Sequence, residues 1–252
     1  MKRLTIDIET APHLLAGFGL FNQYMTTDHL LEVGSTLCFA AKWVGEKKVE
    51  FRSSWKDGTE KMVSRAWDLI NEADAVISYN GEKFDLPTLS REFVRLGAPP
   101  PDDAKSIDLY KVVRSRFKFA SNKLDFVARE LGLGAKLPHK GMALWQGVME
   151  GNEKDQRVME RYNIQDVRLT ERLYKRLLPW IRNHPNFALY TEDDRPVCTN
   201  CGSHKVWKIG KETVKKKTQA YQRYRCKSCG TEMRGRTTAL TPDKRRNVLT
   251  QV

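Results

Sequence analysis

Four carboxylates and a tyrosine are the groups in this chain whose types and spacing could do chemistry: Asp7, Glu9, Asp85, Asp166 and Tyr162. In Leu4-Thr5-Ile6-Asp7-Ile8-Glu9-Thr10 the apolar residues fall at every second position, so Asp7 and Glu9 project together from the other face of a strand. Their separation of about 6.5–7 Å makes mutual repulsion raise one pKa unless a cation lies between them. The bland alternative is a strand with a wet face, although Asp is depleted in strands. Phosphodiester cleavage by two metals needs oxygen ligands that hold divalent ions about 3.5–4 Å apart. Asp7, Glu9, Asp85 and Asp166 could supply them, and Tyr162 shares a helix face with Asp166 four residues on. Other readings stay open: Asp85 as a helix cap, Tyr162 as a half-buried core aromatic, Asp108 as a rival fourth ligand. Asp166 is harder to dismiss, because a lone carboxylate on an apolar helix face is costly.

A second constellation is Cys198-Thr-Asn-Cys201 and Cys226-Lys-Ser-Cys229, two Cys-x-x-Cys pairs with 24 residues between them. That spacing suits a tetrahedral four-thiolate site for one structural Zn²⁺, and a reducing compartment favours metal over disulfide. So small a module cannot bury a sufficient core, so zinc would supply most of its folding free energy. Cys38, in an apolar run, reads as core packing. Lys211, Lys215, Lys216, Lys217, Arg223, Arg225 and Lys227, interleaved with Trp207, Tyr221 and Tyr224, could meet phosphates and stack on bases. The alternative is a solvated basic face on a structural ribbon.

The elements that must position these groups follow from periodicity. Residues 35–44 and 48–53 read as a hairpin around Gly45-Glu46-Lys47, which with the first strand makes a three-stranded meander. A helix over 60–72 and a strand over 75–79 add a right-handed parallel crossover, and the sheet becomes mixed. Asp85 opens a helix to about Leu96, residues 106–110 form a strand end, 124–131 a helix, and 135–152 are loop-rich. From about 153 to 182 Met159, Tyr162, Asp166, Leu169, Leu173 and Leu177 mark one face of a long helix, broken near Pro179. Residues 11–33, with the cluster Phe18, Leu20, Phe21, Tyr24 and Met25, read as an irregular or partly helical excursion.

The chain of 252 residues is 40% hydrophobic, which excludes disorder throughout and provides for a real core. No apolar run approaches the roughly 20 residues of a membrane span, and Met1-Lys2-Arg3 leads into the strand without a signal-peptide core, so a cytoplasmic protein with no membrane partner is expected. A net charge of +13 points to a polyanionic partner, nucleic acid first. Residues 191–252 carry +9 of it, with 15 Lys+Arg against 6 Asp+Glu.

Asp7-Ile-Glu-Thr10, Tyr79-Asn80-Gly81-Glu82-Lys83-Phe84-Asp85 and Tyr162-Asn163-Ile164-Gln165-Asp166 resemble, in order, the three motifs of the tyrosine-bearing DEDD 3'-5' exonucleases, particularly the proofreading domains of family B DNA polymerases. The resemblance runs through residues 1 to about 182 and implies a ribonuclease H-like α/β fold, a mixed five-stranded sheet flanked by helices. It also implies two Mg²⁺ or Mn²⁺ ions: Asp7 would bridge both, Glu9 and Asp166 would complete the water-bearing site, and Asp85 would hold the second. Tyr162 would hydrogen-bond the attacking water. Asn80 and Phe84 are the motif's candidate substrate contacts, though Asn80 reads first as a turn residue and Phe84 as core. The stretch from Ser121-Asn122-Lys123-Leu124 through Gly134-Ala135-Lys136 is similar to the segment between the second and third motifs, and no role is carried onto it. The cysteine module is similar to the zinc ribbons of insertion-sequence transposases, which implies DNA contact through Lys215, Lys216, Arg223, Tyr224 and Arg225.

The expected organisation is a nuclease domain over 1–183, a linker over 184–196, a zinc ribbon over 197–236 and a basic, disordered tail over 237–252. The chain stops where a polymerase would have its palm and fingers, so no synthesis is expected. The expected activity is release of nucleoside 5'-monophosphates from DNA 3' ends. Alternatives are an RNA exonuclease, a structure-selective endonuclease, and a nucleic-acid-binding protein whose metal site is vestigial.

Overall fold

The computed structural model describes residues 1–19 and 24–250, without the side chains of Lys211 and Glu212. Leu20 and Phe21 of the early apolar cluster, and the Lys211 side chain, lie outside the described residues. Two compact units are present: Lys2–Tyr174, and Lys175–Val252 together with Met1.

The first unit is built on strand β1 (Arg3–Thr10). After it come two short strands, β2 (Leu14–Leu15) and β3 (Leu30–Glu32), which pair antiparallel and give the excursion a small ribbon of its own. Next are β4 (Thr36–Trp43), β5 (Glu50–Ser53), the short helix α1 (Ser54–Asp57), α2 (Thr59–Asn71) and β6 (Ala75–Ser78). Then follow α3 (Asp85–Arg95), β7 (Lys105–Asp108), α4 (Leu109–Arg116), α5 (Leu124–Glu130), α6 (Met142–Met149) and α7 (Glu153–Leu177). The main sheet runs β5-β4-β1-β6-β7, with β1 antiparallel to β4 and parallel to β6. This is the expected mixed five-stranded sheet, and β1 lies at its centre.

Both faces of the sheet are covered. Leu4, Ile6 and Ile8 of β1 bury against Met62, Val63, Ala66, Leu69 and Ile70 of α2. A second cluster joins Leu37 and Cys38 of β4 to Leu144 and Val148 of α6 and Met159 and Tyr162 of α7, so Cys38 is core. A buried ion pair between Lys42 Nζ of β4 and Glu171 Oε2 of α7, 2.5 Å long, ties the late helix across the early strands. Removing one partner would leave an uncompensated buried charge, typically costing about 3–5 kcal/mol.

Residues 135–152 are loop-rich, as expected, with one helix among them: α6 forms because Leu144 and Val148 have a core to enter, which glycines at 141, 147 and 151 disguise in the sequence. Two expectations need correction. Asp85 does not cap α3; Phe84 does, and Asp85 is the first helical residue. Phe84 is not core, being 45% exposed.

The second unit contains β8 (Val206–Lys216), β9 (Gln219–Cys226), β10 (Glu232–Thr238) and the short helix α8 (Pro242–Arg246). The three strands form an antiparallel sheet, β10-β9-β8. Residues 178–190 belong to this unit. Asn200 Nδ2 donates to the carbonyls of Leu178 and Ile181, and Phe187 N donates to Thr199 O. Gly202, at φ +74°, lies so close to the Phe187 ring that an added Cβ would stand 2.5 Å from it. Beyond 236, where a disordered tail is expected, β10 continues to Thr238 and Thr241 caps α8 by accepting from Lys244 N.

Candidate active site

The alternation of β1 leaves Asp7 and Glu9 on the face turned away from α2, and α7 brings Asp166 to them. One carboxylate oxygen from each of Asp7, Glu9 and Asp166 lies within 4.8 Å of the others. Asp85 joins from the first turn of α3, its Oδ1 accepting from the amide of Ile8 at 3.0 Å, between the two acidic residues of β1. Gly81 allows this approach: a Cβ there would stand 2.3 Å from Ser78 Oγ and 3.1 Å from Asp85 Oδ2.

Asp108 is also buried, but its oxygens are committed to backbone. Oδ1 accepts from Asn80 N and Tyr110 N, both at 2.9 Å, and Oδ2 from Glu82 N at 3.4 Å. The side chain caps α4 and brackets the β6–α3 loop, holding Asn80 at φ +66°, a left-handed conformation that costs a non-glycine residue energy. This use of its lone pairs weighs against Asp108 as fourth ligand and for Asp85.

Electrostatically the cluster is short of positive charge. Burial, then the charges of Asp85, Glu9 and Asp166, holds the Asp7 carboxyl well above the usual carboxylate range. Burial and then Asp166 push Glu9 up to about 8; burial pushes Asp85 up to about 7 against the pull of the Ile8 amide. Burial also raises Asp166, against Lys136. Asp166 Oδ1 is buried without a hydrogen-bond partner among the described residues. Anionic oxygens that repel one another, with one buried acceptor unused, are the donor set hard divalent cations prefer, so Asp7, Glu9, Asp85 and Asp166 fit Mg²⁺ or Mn²⁺.

Two participants have no role in the sequence reading. Lys136 Nζ donates to Asp166 Oδ2 at 2.5 Å and to Tyr162 Oη at 3.0 Å, and lies 5.1 Å from the centre of the Tyr162 ring. Burial opposes its charge, yet Asp166 and Tyr162 hold its pKa above the ordinary lysine range. Burial and Asp166 push the Tyr162 phenol up to about 12, so at neutral pH it keeps its proton. Asn163 Nδ2 donates to Asp7 Oδ2 at 2.7 Å and to the Asp7 carbonyl at 3.2 Å, fixing the Asp7 rotamer from α7. Asn163 stands inside the third motif, next to Tyr162; Lys136, in a loop without periodicity, has no comparable sequence signal.

A cleft of about 810 Å³ opens beside these groups, lined by Asp7, Lys136 and Tyr162 and by Tyr79, Asn80, Tyr110 and His139. Tyr79 and Tyr110 meet edge to face, centroids 5.9 Å apart, and His139 meets Tyr162 likewise at 4.9 Å. Asn80 lines the cleft, while Phe84 is not among its lining residues.

In the second unit Cys198, Cys201, Cys226 and Cys229 come together with all four sulfurs within 4.8 Å. Cys198–Cys229 and Cys201–Cys226 Sγ separations are 3.6 Å. A disulfide would be about 2.05 Å, whereas a tetrahedron with Zn–S bonds of about 2.3 Å has edges of about 3.8 Å. Burial opposes ionisation of Cys226, but backbone N–H groups of Cys229 and Ser228 bring its thiol down to about 7. The cysteines fit zinc.

The basic residues of the ribbon do not share a face. In the β8-β9-β10 register Arg225 stands opposite Trp207 and Glu232, and Arg223 opposite Arg234, whereas Tyr224 stands opposite Lys208 and Met233. Arg223 and Arg225 therefore lie on one face and Tyr224 on the other, where Met233 Sδ accepts from Thr199 N of the first cysteine knuckle. Lys215 pairs with Ala220 and shares Tyr224's face; Lys216 pairs with Gln219 on the Arg223 side.

A family model of the RNase H superfamily matches residues 27–178. The matched span contains Asp85, Lys136, Tyr162 and Asp166 and begins after Asp7 and Glu9. No curated protein matches the chain. Among the described residues no helix is long and apolar enough to cross a membrane.

Proposed function

Since the chain belongs to the RNase H superfamily, whose fold implies metal-dependent hydrolysis of nucleic acids, we propose that it is a 3'-5' exonuclease of the tyrosine-bearing DEDD type acting on DNA 3' ends. The observation that carries this reading is the convergence of Tyr162 and Asp166, one turn apart on α7, with Asp7 and Glu9 of β1. Asp7, Glu9, Asp85 and Asp166 would hold divalent ions, whose chemistry would be to activate a water and to neutralise the leaving 3' oxygen. Tyr162, protonated and held by Lys136, positions that water through its hydroxyl. Lys136 also offsets the charge of Asp166, and Asn163 keeps Asp7 turned toward the centre. Tyr79 and Tyr110 line a cleft of the right character to stack the terminal base, and Asn80 presents an amide to its edge. The zinc ribbon, carrying most of the excess positive charge, adds a second nucleic-acid contact.

The test is degradation of a 5'-labelled single-stranded DNA oligonucleotide by wild type and Asp7→Ala, with Mn²⁺ or with EDTA. The expected result is a descending ladder from metal-bearing wild type alone. Cleavage of an internally labelled circle would instead indicate an endonuclease, and degradation of matching RNA but not DNA would change the substrate. Turnover by Asp7→Ala near the wild-type rate would overturn the site.

A further inference from the structure

The ribbon sheet has two unlike faces. One, described above, points toward the cysteine knuckles. The other carries Trp207 on β8, Tyr221, Arg223 and Arg225 on β9 and Arg234 on β10, with Lys227 at its end. Two cation–aromatic stacks occur on it: Lys227 Nζ lies 4.8 Å from the Trp207 ring centre and the Arg234 guanidinium 4.1 Å from that of Tyr221. Trp207 is 48% exposed. Tyr221 and Arg225 are four residues apart on β9, and Trp207 pairs with Arg225, so the two rings stand about 13 Å apart along the strand. The spacing spans a few nucleotides of an unpaired strand, with guanidiniums between the rings.

Among the described side chains one acid stands in this row. Glu232 pairs with Arg225 across β10–β9; its Oε2 accepts from Arg223 Nη2 at 2.6 Å and Nε at 3.2 Å, and its Oε1 accepts from Arg225 Nη2. A carboxylate gripped by two guanidiniums occupies the geometry those groups would offer a phosphate.

We propose that this face is a platform for single-stranded nucleic acid, and that Glu232 is its built-in competitor, a carboxylate that orders Arg223 and Arg225 and is displaced when a phosphate arrives. The occupant follows from charge complementarity, with four cations against one carboxylate among the described side chains around the two rings, the combination that binds unpaired strands through phosphate contacts and base stacking. This extends the reading of the chain as a nuclease by naming the face of the ribbon that holds the strand; Tyr224 and Lys215, on the opposite face, take no part.

The experiment uses the full chain loaded with zinc, no Mg²⁺ or Mn²⁺ added, and a 5'-fluorescein dT30 oligonucleotide in a salt titration. Glu232→Gln should bind about two- to fivefold more tightly, the range that exposed ion pairs set. Arg225→Ala should weaken binding and reduce the salt slope by about 0.7, the share of one single-strand phosphate contact. Lys208→Ala, the same charge change on the opposite face, should leave both unchanged, and Trp207→Ala should weaken dT30 binding while sparing a blunt duplex. Retained zinc stoichiometry checks each fold. Unchanged or weaker binding by Glu232→Gln, equal losses from Lys208→Ala and Arg225→Ala, or binding of a polyglutamate peptide in place of dT30 would overturn the proposal. The nuclease reading fails separately: wild type that binds dT30 with this pattern but never shortens it in Mn²⁺ would sink the enzyme and leave the platform standing.

Discussion

The carboxylate centre and the cysteine cluster are both built to hold cations, yet their supports are opposite in kind. Asp7, Asp85 and Asp166 hang on three elements distant in sequence, fixed beforehand by a core that includes Leu4, Ile6, Phe39, Met62 and Leu69. Between 197 and 250 the buried residues are Cys198, Asn200, Ala220, Cys226 and Thr231 alone among those described. In the first unit the fold makes the site and the site strains the fold; in the second the site makes the fold. The sharpest way to break this comparison is to withdraw zinc. With a strong chelator, or in Cys198→Ser/Cys201→Ser, amide exchange over 206–238 should collapse to unprotected rates while β1 and β4 stay protected. The apparent loss is on the order of 10 kcal/mol, and a ribbon that keeps its protection without zinc would show that its core is sufficient.

For the carboxylate centre the same operation should act through pH. Glu9 and Asp85, pushed up to about 8 and about 7, bind protons more tightly folded than unfolded. Their contribution to stability is therefore fully present below about pH 4 and is lost as pH rises through 7 to 8. The melting temperature of the divalent-free protein should fall across that window, and Mg²⁺ or Mn²⁺ should restore it, most at the alkaline end. A flat profile without metal would mean that burial does not raise these carboxyls in the folded protein.

Lys136 sharpens the comparison from the side of catalysis. Its ammonium spans Asp166 and Tyr162, so Lys136→Ala should lower kcat about a hundredfold, the scale of one positioned proton-handling group. KM for DNA should change little, and melting should remain cooperative. A loss confined to KM would move Lys136 from water positioning to strand binding.

What could be read in advance was what is periodic. Asp7 and Glu9 emerge from a two-residue alternation, and Tyr162 with Asp166 from a one-turn helical spacing, because each pair lies within a single element. Lys136 lies in the stretch similar to the family's intermotif segment but takes no role from it, because its partners are 26 and 30 residues away and meet it only when α7 docks. α6 was obscured by glycines in and around an apolar segment that only tertiary burial makes helical. On the ribbon, neighbours in sequence suggested a single basic patch; strand register sends Tyr224 to the opposite face from Arg223 and Arg225. Asp108 stands as a rival ligand in the sequence because the backbone amides that satisfy its oxygens meet it only in the folded chain.

That last distinction supports the smallest effect. Asp85→Asn keeps size and removes a charge that burial already disfavours, so it should abolish metal-dependent turnover without lowering stability. Asp108→Asn keeps one acceptor oxygen but turns the other toward donors, leaving backbone N–H groups of Asn80, Tyr110 or Glu82 unmatched at about 1–3 kcal/mol. Its denaturation midpoint should fall and KM for DNA should rise as Asn80 leaves its left-handed conformation, while saturating turnover stays within about tenfold of wild type, one tenfold step being about 1.4 kcal/mol of barrier. Denaturant titration and steady-state kinetics on the two variants decide the matter. Lost turnover at unchanged stability in Asp108→Asn, with a tolerant Asp85→Asn, would exchange their roles.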